Sequence, residues 1–321
     1  MVPITRDSTR SPAPSTVRPA PAVAAGPARR RRRGVRGGFG AFVFALPALV
    51  VFGFFSWGPI GRAVVMSFQR TNLVQGGEWV GWSNFSYVLA DPLFATAVRN
   101  TLWFTLLAVV AGFPLPLLLA VLISEVRRRR GLFTALAFLP VVVPPVVAIL
   151  LWRTLYDPET SGVFNTLLRS VGLPALHWLS DPDLAMPAIV VEATWASAGN
   201  AVVIYLAALT SVRTELYEAA ELDGAGLLGR VRHVTLPQLR GVVLVMLLLQ
   251  VVGTMQVFSE PYLFTGGGPE NATTSVLLLV YDYAFVHGDF GAATAASVLL
   301  ALALGLFSAG YGLATRRWST R

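Results

Sequence analysis

Two groups of polar residues stand out from an apolar background, each with a spacing that could do chemistry. The first is EAAELDGAGLLGRVRHVTLP, residues 218 to 237. Glu218, Glu221 and Asp223 place three carboxylates within six residues, Asp223-Gly224 is a turn signal, and Arg230, Arg232 and His233 follow. Charge graded in this way marks a soluble, two-part segment in an otherwise apolar chain. The second group lies inside two apolar stretches: Glu192, Trp195 and Asn200 in one, Gln250, Thr254 and Gln256 in the other. Amides, a hydroxyl and an indole can hydrogen-bond to and stack on a polyhydroxylated solute, and they can equally join one membrane helix to another. Glu192 is costly inside a membrane and is a functional candidate by default. The alternative is that it lies close enough to the outer interface to be hydrated.

Other chemistries are disfavoured or excluded by composition. There is no cysteine, and His177, His233 and His287 are far apart with no HExxH pair, so a zinc site is not expected. All 25 basic residues are arginine. Without lysine there is neither an ordinary P-loop ATPase nor Schiff-base chemistry in this chain. Gly266 to Gly268 therefore read as a tight turn, not a phosphate cradle. The sequons at Asn84 and Asn271 read as chance matches. A membrane-embedded enzyme would need a convergent nucleophile and base, and no GxSxG or paired-aspartate arrangement is present. No catalytic residue, metal or cofactor is expected.

The elements that must hold these residues are membrane helices. Of 321 residues, 55% are hydrophobic and only 13% charged, with a mean hydropathy of +0.63; a soluble chain carries about a quarter charged residues. Six apolar stretches, about 39–61, 100–123, 132–153, 185–208, 239–258 and 291–314, each approach the ~20 residues a helix needs to cross the hydrocarbon core. Period-two alternation is absent, which disfavours a β-barrel. Pro47, Pro114, Pro116, Pro140, Pro144 and Pro145 fall inside these stretches, so kinked helices in a packed bundle are expected. The fold class is an all-α transmembrane bundle of six spans.

Residues 1–38 are rich in Pro, Ala, Ser and Arg and read as a disordered basic tail, with residues 39–318 forming the membrane domain. The tail resembles a transit or signal sequence in composition, but no small-residue cleavage site follows the long run from Phe39, so a retained anchor is the reading. With both ends in the cytoplasm, 20 of the 25 arginines fall on the inside. That bias sets the orientation and leaves the arginines as topology signals with some attraction to anionic lipid, not a nucleic-acid surface.

Residues 211–240 then form a cytoplasmic loop between the fourth and fifth spans. Thr214 is expected to cap a short helix with Leu216, Ala219 and Ala220 on one face. A second short helix should carry Leu227, Leu228, Val231 and Val234. Helices of about eight residues need a partner surface. That surface is either another protein or the chain's own helix ends.

Glu218-Ala219-Ala220, then Gly224, Val234 and Leu236-Pro237, resemble the EAA motif of ABC importer permeases at every spacing, with Val234 where isoleucine is usual. LFTGGGP at 263 to 269, Thr273, YDYAF at 281 to 285 and FGAATA at 290 to 295 look like the carbohydrate-uptake branch, first-subunit type. WSNFSYVLADPLFATAVRNTL at 82 to 102 is similar to the entry into that family's core. The resemblance spans roughly residues 40 to 318 and matches the compact six-span form. It implies a type I importer fold without catalytic residues or cofactor of its own. Expected partners are a second homologous permease, a cytoplasmic ATPase dimer, an extracytoplasmic solute-binding protein and a sugar. Glu218, Ala219, Ala220, Asp223, Gly224, Val234, Leu236 and Pro237 would form the ATPase-coupling loop. Glu192, Trp195, Asn200, Gln250, Thr254 and Gln256 would line the pathway. A non-sugar solute for the same fold, or a stand-alone carrier, is the alternative.

Overall fold

The computed structural model describes residues 36–72, 76–126, 128–159 and 162–319. Most of the expected disordered tail, together with Arg127 and Arg321, lies outside the described residues. The chain divides into two compact units, Met1–Ser56 and Trp57–Arg321. The described part of the first unit is α1 (Arg36–Phe52) and most of the π turn Gly53–Trp57 that follows it. Phe44, Phe52, Phe54 and Phe55 are exposed there, as suits a helix facing lipid. With α2 (Gly58–Met66) the helix from Gly40 to Met66 is long and apolar enough to cross a membrane.

Beyond a two-residue antiparallel pair, β1 (Gln69–Arg70) and β2 (Glu78–Trp79), the second unit is helical. Helix α3 (Ser83–Ala90) ends at Asp91, whose carboxylate accepts the Leu93 N–H at 2.8 Å and caps α4 (Pro92–Leu107). Pro92, in the first turn, lacks only an N–H that would have had no helical partner. This cap starts the second span ahead of the expected residue 100.

Pro114 cannot donate to the carbonyl four residues back. The helix responds by widening into a π turn, Ala108–Gly112, where the Phe113 N–H reaches the Ala108 carbonyl at 2.8 Å. Helix α5 (Pro114–Glu125) continues the same span, which runs from Pro92 to Glu125.

The third stretch differs from expectation. It is not one rod but two helices, α6 (Arg130–Val142) and α7 (Pro145–Leu155), bent by 96°. Two successive prolines explain the break. Val143 and Pro144 each precede a proline, which disfavours helical backbone, and both are extended, with ψ of 127° and 134°.

After α8 (Val163–Ser170), the long helix α9 (Pro182–Leu209) forms the centre of the bundle, packed on α5 and α6. At Gly199 a Cβ would lie 2.6 Å from the Ala137 carbonyl oxygen, so the glycine lets the two backbones approach. Helices α10 (Thr214–Leu222), α11 (Leu227–Arg230) and α12 (Leu236–Thr254) follow. A π turn, Val231–Thr235, joins α11 to α12 ahead of Pro237, repeating the device at Pro114. The expected second short helix is therefore the leading turns of the fifth span, one apolar helix from Leu227 to Thr254.

Three shorter pieces complete the outer part of the unit: α13 (Ser259–Thr265), α14 (Val276–Tyr281) and a π turn, Asp282–Val286. The apolar helix Val276–Val286 is too short to cross. It packs Val276, Leu279 and Tyr283 against Ala292, Ala293 and Ala296 of α15 (Phe290–Ser319), the sixth span.

Candidate coupling loop and solute pathway

The carboxylate-rich segment forms a helical hairpin. α10 begins at Thr214 itself, with Arg213 in the cap position; arginine offers no acceptor, so the expected Thr214 cap is absent. Leu216, Tyr217 and Ala220 are half-buried, whereas Glu218 and Ala219 are exposed. The helix ends in a Schellman motif: Ala225 N–H donates to the Ala220 carbonyl at 2.9 Å and Gly224 N–H to Glu221 at 3.0 Å. Gly224 has φ +76°, which its lack of a Cβ permits. Apart from its neighbours in sequence, no described residue comes within 4 Å of a Cβ built there, so the constraint among the described residues is backbone conformation, not space.

Asp223, Leu236 and Pro237 are exposed and Val234 is half-buried. Leu222 and Leu228 are 90% and 80% exposed, although the spacing had suggested a covered face for Leu228. Beneath α10 lies a cavity of about 270 Å³ lined by Glu218, Tyr217, Thr214, Glu125 and Arg230 among others.

The second polar group partly converges. Asn200, Gln250, Thr254 and Gln256 line one cavity of about 500 Å³ between α4, α5, α9 and α12, together with Ser197, Phe258, Ser259 and Glu260. Thr254 donates to the Gln250 carbonyl at 2.8 Å and Gln256 to the Val252 carbonyl at 2.8 Å, so both spend a donor on their own helix. Among the described residues, the side-chain amides of Asn200 and Gln250 have no partner in the chain. Phe258 stacks on Tyr262 with ring centres 5.3 Å apart and planes 13° from parallel, giving the cavity an aromatic edge. Glu260 is the charged lining group, and burial raises its carboxyl above the usual range.

Glu192 and Trp195 do not line this cavity. Glu192 is only 2% exposed and one of its oxygens has no partner, so it is buried in the bundle rather than hydrated at an outer end. Trp195 faces a different way round α9, packing on Trp152 with ring centres 5.6 Å apart in a cluster with Tyr156, Phe164 and Trp178.

Residues 112–319 match the family described as binding-protein-dependent transport system inner membrane component. The chain belongs to that family. The probable ABC transporter permease protein YurN of Bacillus subtilis is 35% identical over 271 residues, 83% of this chain and 92% of that protein. The arabinooligosaccharides transport system permease protein AraP of Halalkalibacterium halodurans is 34% identical, over 83% of this chain and 84% of its own length. The lactose transport system permease protein LacF of Rhizobium radiobacter is 32% identical, over 83% and 91%. A crystal structure of a bacterial ABC transporter involved in import of the acidic polysaccharide alginate contains a chain that superposes with a TM-score of 0.78. That chain is 26% identical and covers 88% of this chain and 97% of its own length.

The permease also uses residues that sequence reasoning passed over. Arg230 pairs with Glu125 at 3.2 Å and Glu221 at 3.8 Å, and the Tyr217 hydroxyl lies 3.0 Å from that of Thr235. Ser197 could have been found, since it lies three residues before Asn200 and hence on the same helical face. The glycine-rich segment is held from within: Asn100 donates to the carbonyls of Asn271 and Thr274 at 2.7 and 3.1 Å, and Thr273 donates to Gly268 at 2.9 Å. It is a structural turn that joins the permease's second span to its outer helices.

Proposed function

We propose that this permease forms one half of a pathway for a neutral sugar or sugar-like solute through the cytoplasmic membrane. One observation carries the reading. Asn200 and Gln250 present unpaired amides to a cavity edged by Phe258, the combination of planar hydrogen-bonding groups and an aromatic face that a polyhydroxylated ring requires. The names of the arabinooligosaccharide and lactose permeases among its relatives point the same way.

A second, homologous permease would supply the facing wall. An extracytoplasmic solute-binding protein would deliver the solute. A pair of ABC ATPases would receive α10 from the cytoplasm, covering Leu222 and Leu228, whose exposure has no use in water. ATP hydrolysis would belong to those subunits, and this chain would contribute no catalytic group. Both termini would be cytoplasmic, with lipid covering the apolar outer faces of the spans.

The test is uptake by the assembled transporter in vesicles. Asn200→Ala and Gln250→Ala each remove an amide that this chain leaves free, so both should lower uptake of the transported sugar while subunit assembly is unchanged. Unaltered transport kinetics in both variants would remove these residues from the pathway.

A further inference from the structure

We infer that Arg230 is a positioning residue that fixes the coupling loop to the cytoplasmic end of the second span, so that a displacement of α10 is passed to the helix lining the cavity. This rests on the proposed docking of α10 into an ATPase. Arg230 is the shared partner of two carboxylates from different elements. One Nη contacts Glu125, the last residue of α5, at 3.2 Å, and the other contacts Glu221 of α10 at 3.8 Å. The arginine side chain is 18% exposed, Glu125 45% and Glu221 72%.

What makes this pair more than surface decoration is where each end leads. The hairpin is covalently continuous with α9 and α12, whereas Glu125 is 105 positions away in sequence. The pair therefore joins the loop to a span it is not otherwise tied to by chain. The same α5 carries Pro116, which lines the 500 Å³ cavity, and a helix of twelve residues moves as a rod between the two.

Apolar packing holds α10 only in part: Leu216, Tyr217 and Ala220 are half-buried and none of its residues is fully buried. Beneath it lies the 270 Å³ cavity, and its hydroxyl contact through Tyr217 reaches the leading turns of the fifth span, not α5. Arginine suits the role because its planar guanidinium holds two separate Nη atoms in a fixed fork, one toward each carboxylate. Its Nε is buried without a partner among the described residues. An orphaned buried donor is unfavourable, and the adjoining cavity leaves the guanidinium room to rearrange when the loop moves.

The experiment uses the complete transporter in vesicles, with ATP hydrolysis, solute uptake and ATPase co-purification read on each preparation. Arg230→Gln and Glu125→Gln should leave the ATPase bound and hydrolysis near normal, yet lower solute moved per ATP by about five-fold, the scale of coupling between neighbouring charged groups. The two effects should not add in the double variant. The reversed pair, Glu125→Arg with Arg230→Glu, should recover most of the loss, which a merely structural role would not produce. Glu221→Gln should lower solute moved per ATP as well, but by less than Glu125→Gln, because its pair with Arg230 is longer and more exposed. Unchanged solute per ATP in both single variants, or a reversed pair no better than the worse single variant, overturns the inference. Leu222→Asp with Leu228→Asp separates the two claims. If the ATPase still co-purifies with that variant, the docking reading itself fails, whatever Arg230 does.

Discussion

At Gly224 the chemistry of one residue can be separated into two parts. Within the chain, φ of +76° and the two Schellman bonds require a residue that accepts left-handed backbone. A non-glycine residue there costs about 1–2 kcal/mol, more if β-branched. Among the described residues the space around it is empty, so a steric demand there points to a partner. Gly224→Val should leave the permease in the membrane but abolish ATPase co-purification. Gly224→Asn tolerates the backbone, so retained docking in Asn with loss in Val assigns the role to conformation, and loss in both assigns it to a tight partner groove. Glu218→Ala should be milder, under about 1 kcal/mol in docking, as for an exposed charge pair; a loss as large as that of Gly224→Val would mean Glu218 is buried on docking. The turn at Asp223-Gly224 was legible because glycine after a short polar residue has few other uses. The sequence did not separate Glu192 and Trp195 from Asn200, because which way round α9 a residue faces depends on which helices pack there. Two further residues of the cavity, Phe258 and Glu260, lie at and just past the end of an apolar run, where periodicity gives no direction.

Among the elements, the positions of the spans followed closely from apolar length, while their shapes did not. Prolines marked the third stretch as irregular, but only the pairing of Pro144 with Pro145, each acting on its predecessor, makes a 96° corner instead of a kink. The continuity of α11 with the fifth span was hidden by Pro237, since a proline ordinarily stops a helix and here a π turn absorbs it. Gly199 was not singled out in the sequence, and in the bundle it sets the contact of α9 with α6. Gly199→Ala would force a Cβ to 2.6 Å from the Ala137 carbonyl oxygen and 2.9 Å from the Phe138 Cα. Backbone atoms cannot step aside, so the helices must separate at a cost of about 1–3 kcal/mol. The purified variant should melt at a lower temperature than the parent. An unchanged melting temperature would show that α6 and α9 slide freely.

For the whole molecule, the proposed orientation rests on the distribution of arginine, 20 of 25 on one side in the six-span arrangement. Reporter fusions after Asp157 and Asp282 should read outside and one after Gly224 inside; the reverse at any of them breaks the arrangement. The central claim is that this chain moves solute only when its cytoplasmic loop is driven by ATP. The direct measurement is sugar uptake into vesicles holding the permease with its partner permease and ATPase, with and without ATP and binding protein. The account predicts uptake that needs both, and that is lost in Gly224→Val while the permease remains inserted. Sugar uptake at the same rate without ATP, or undiminished in that variant, would contradict it.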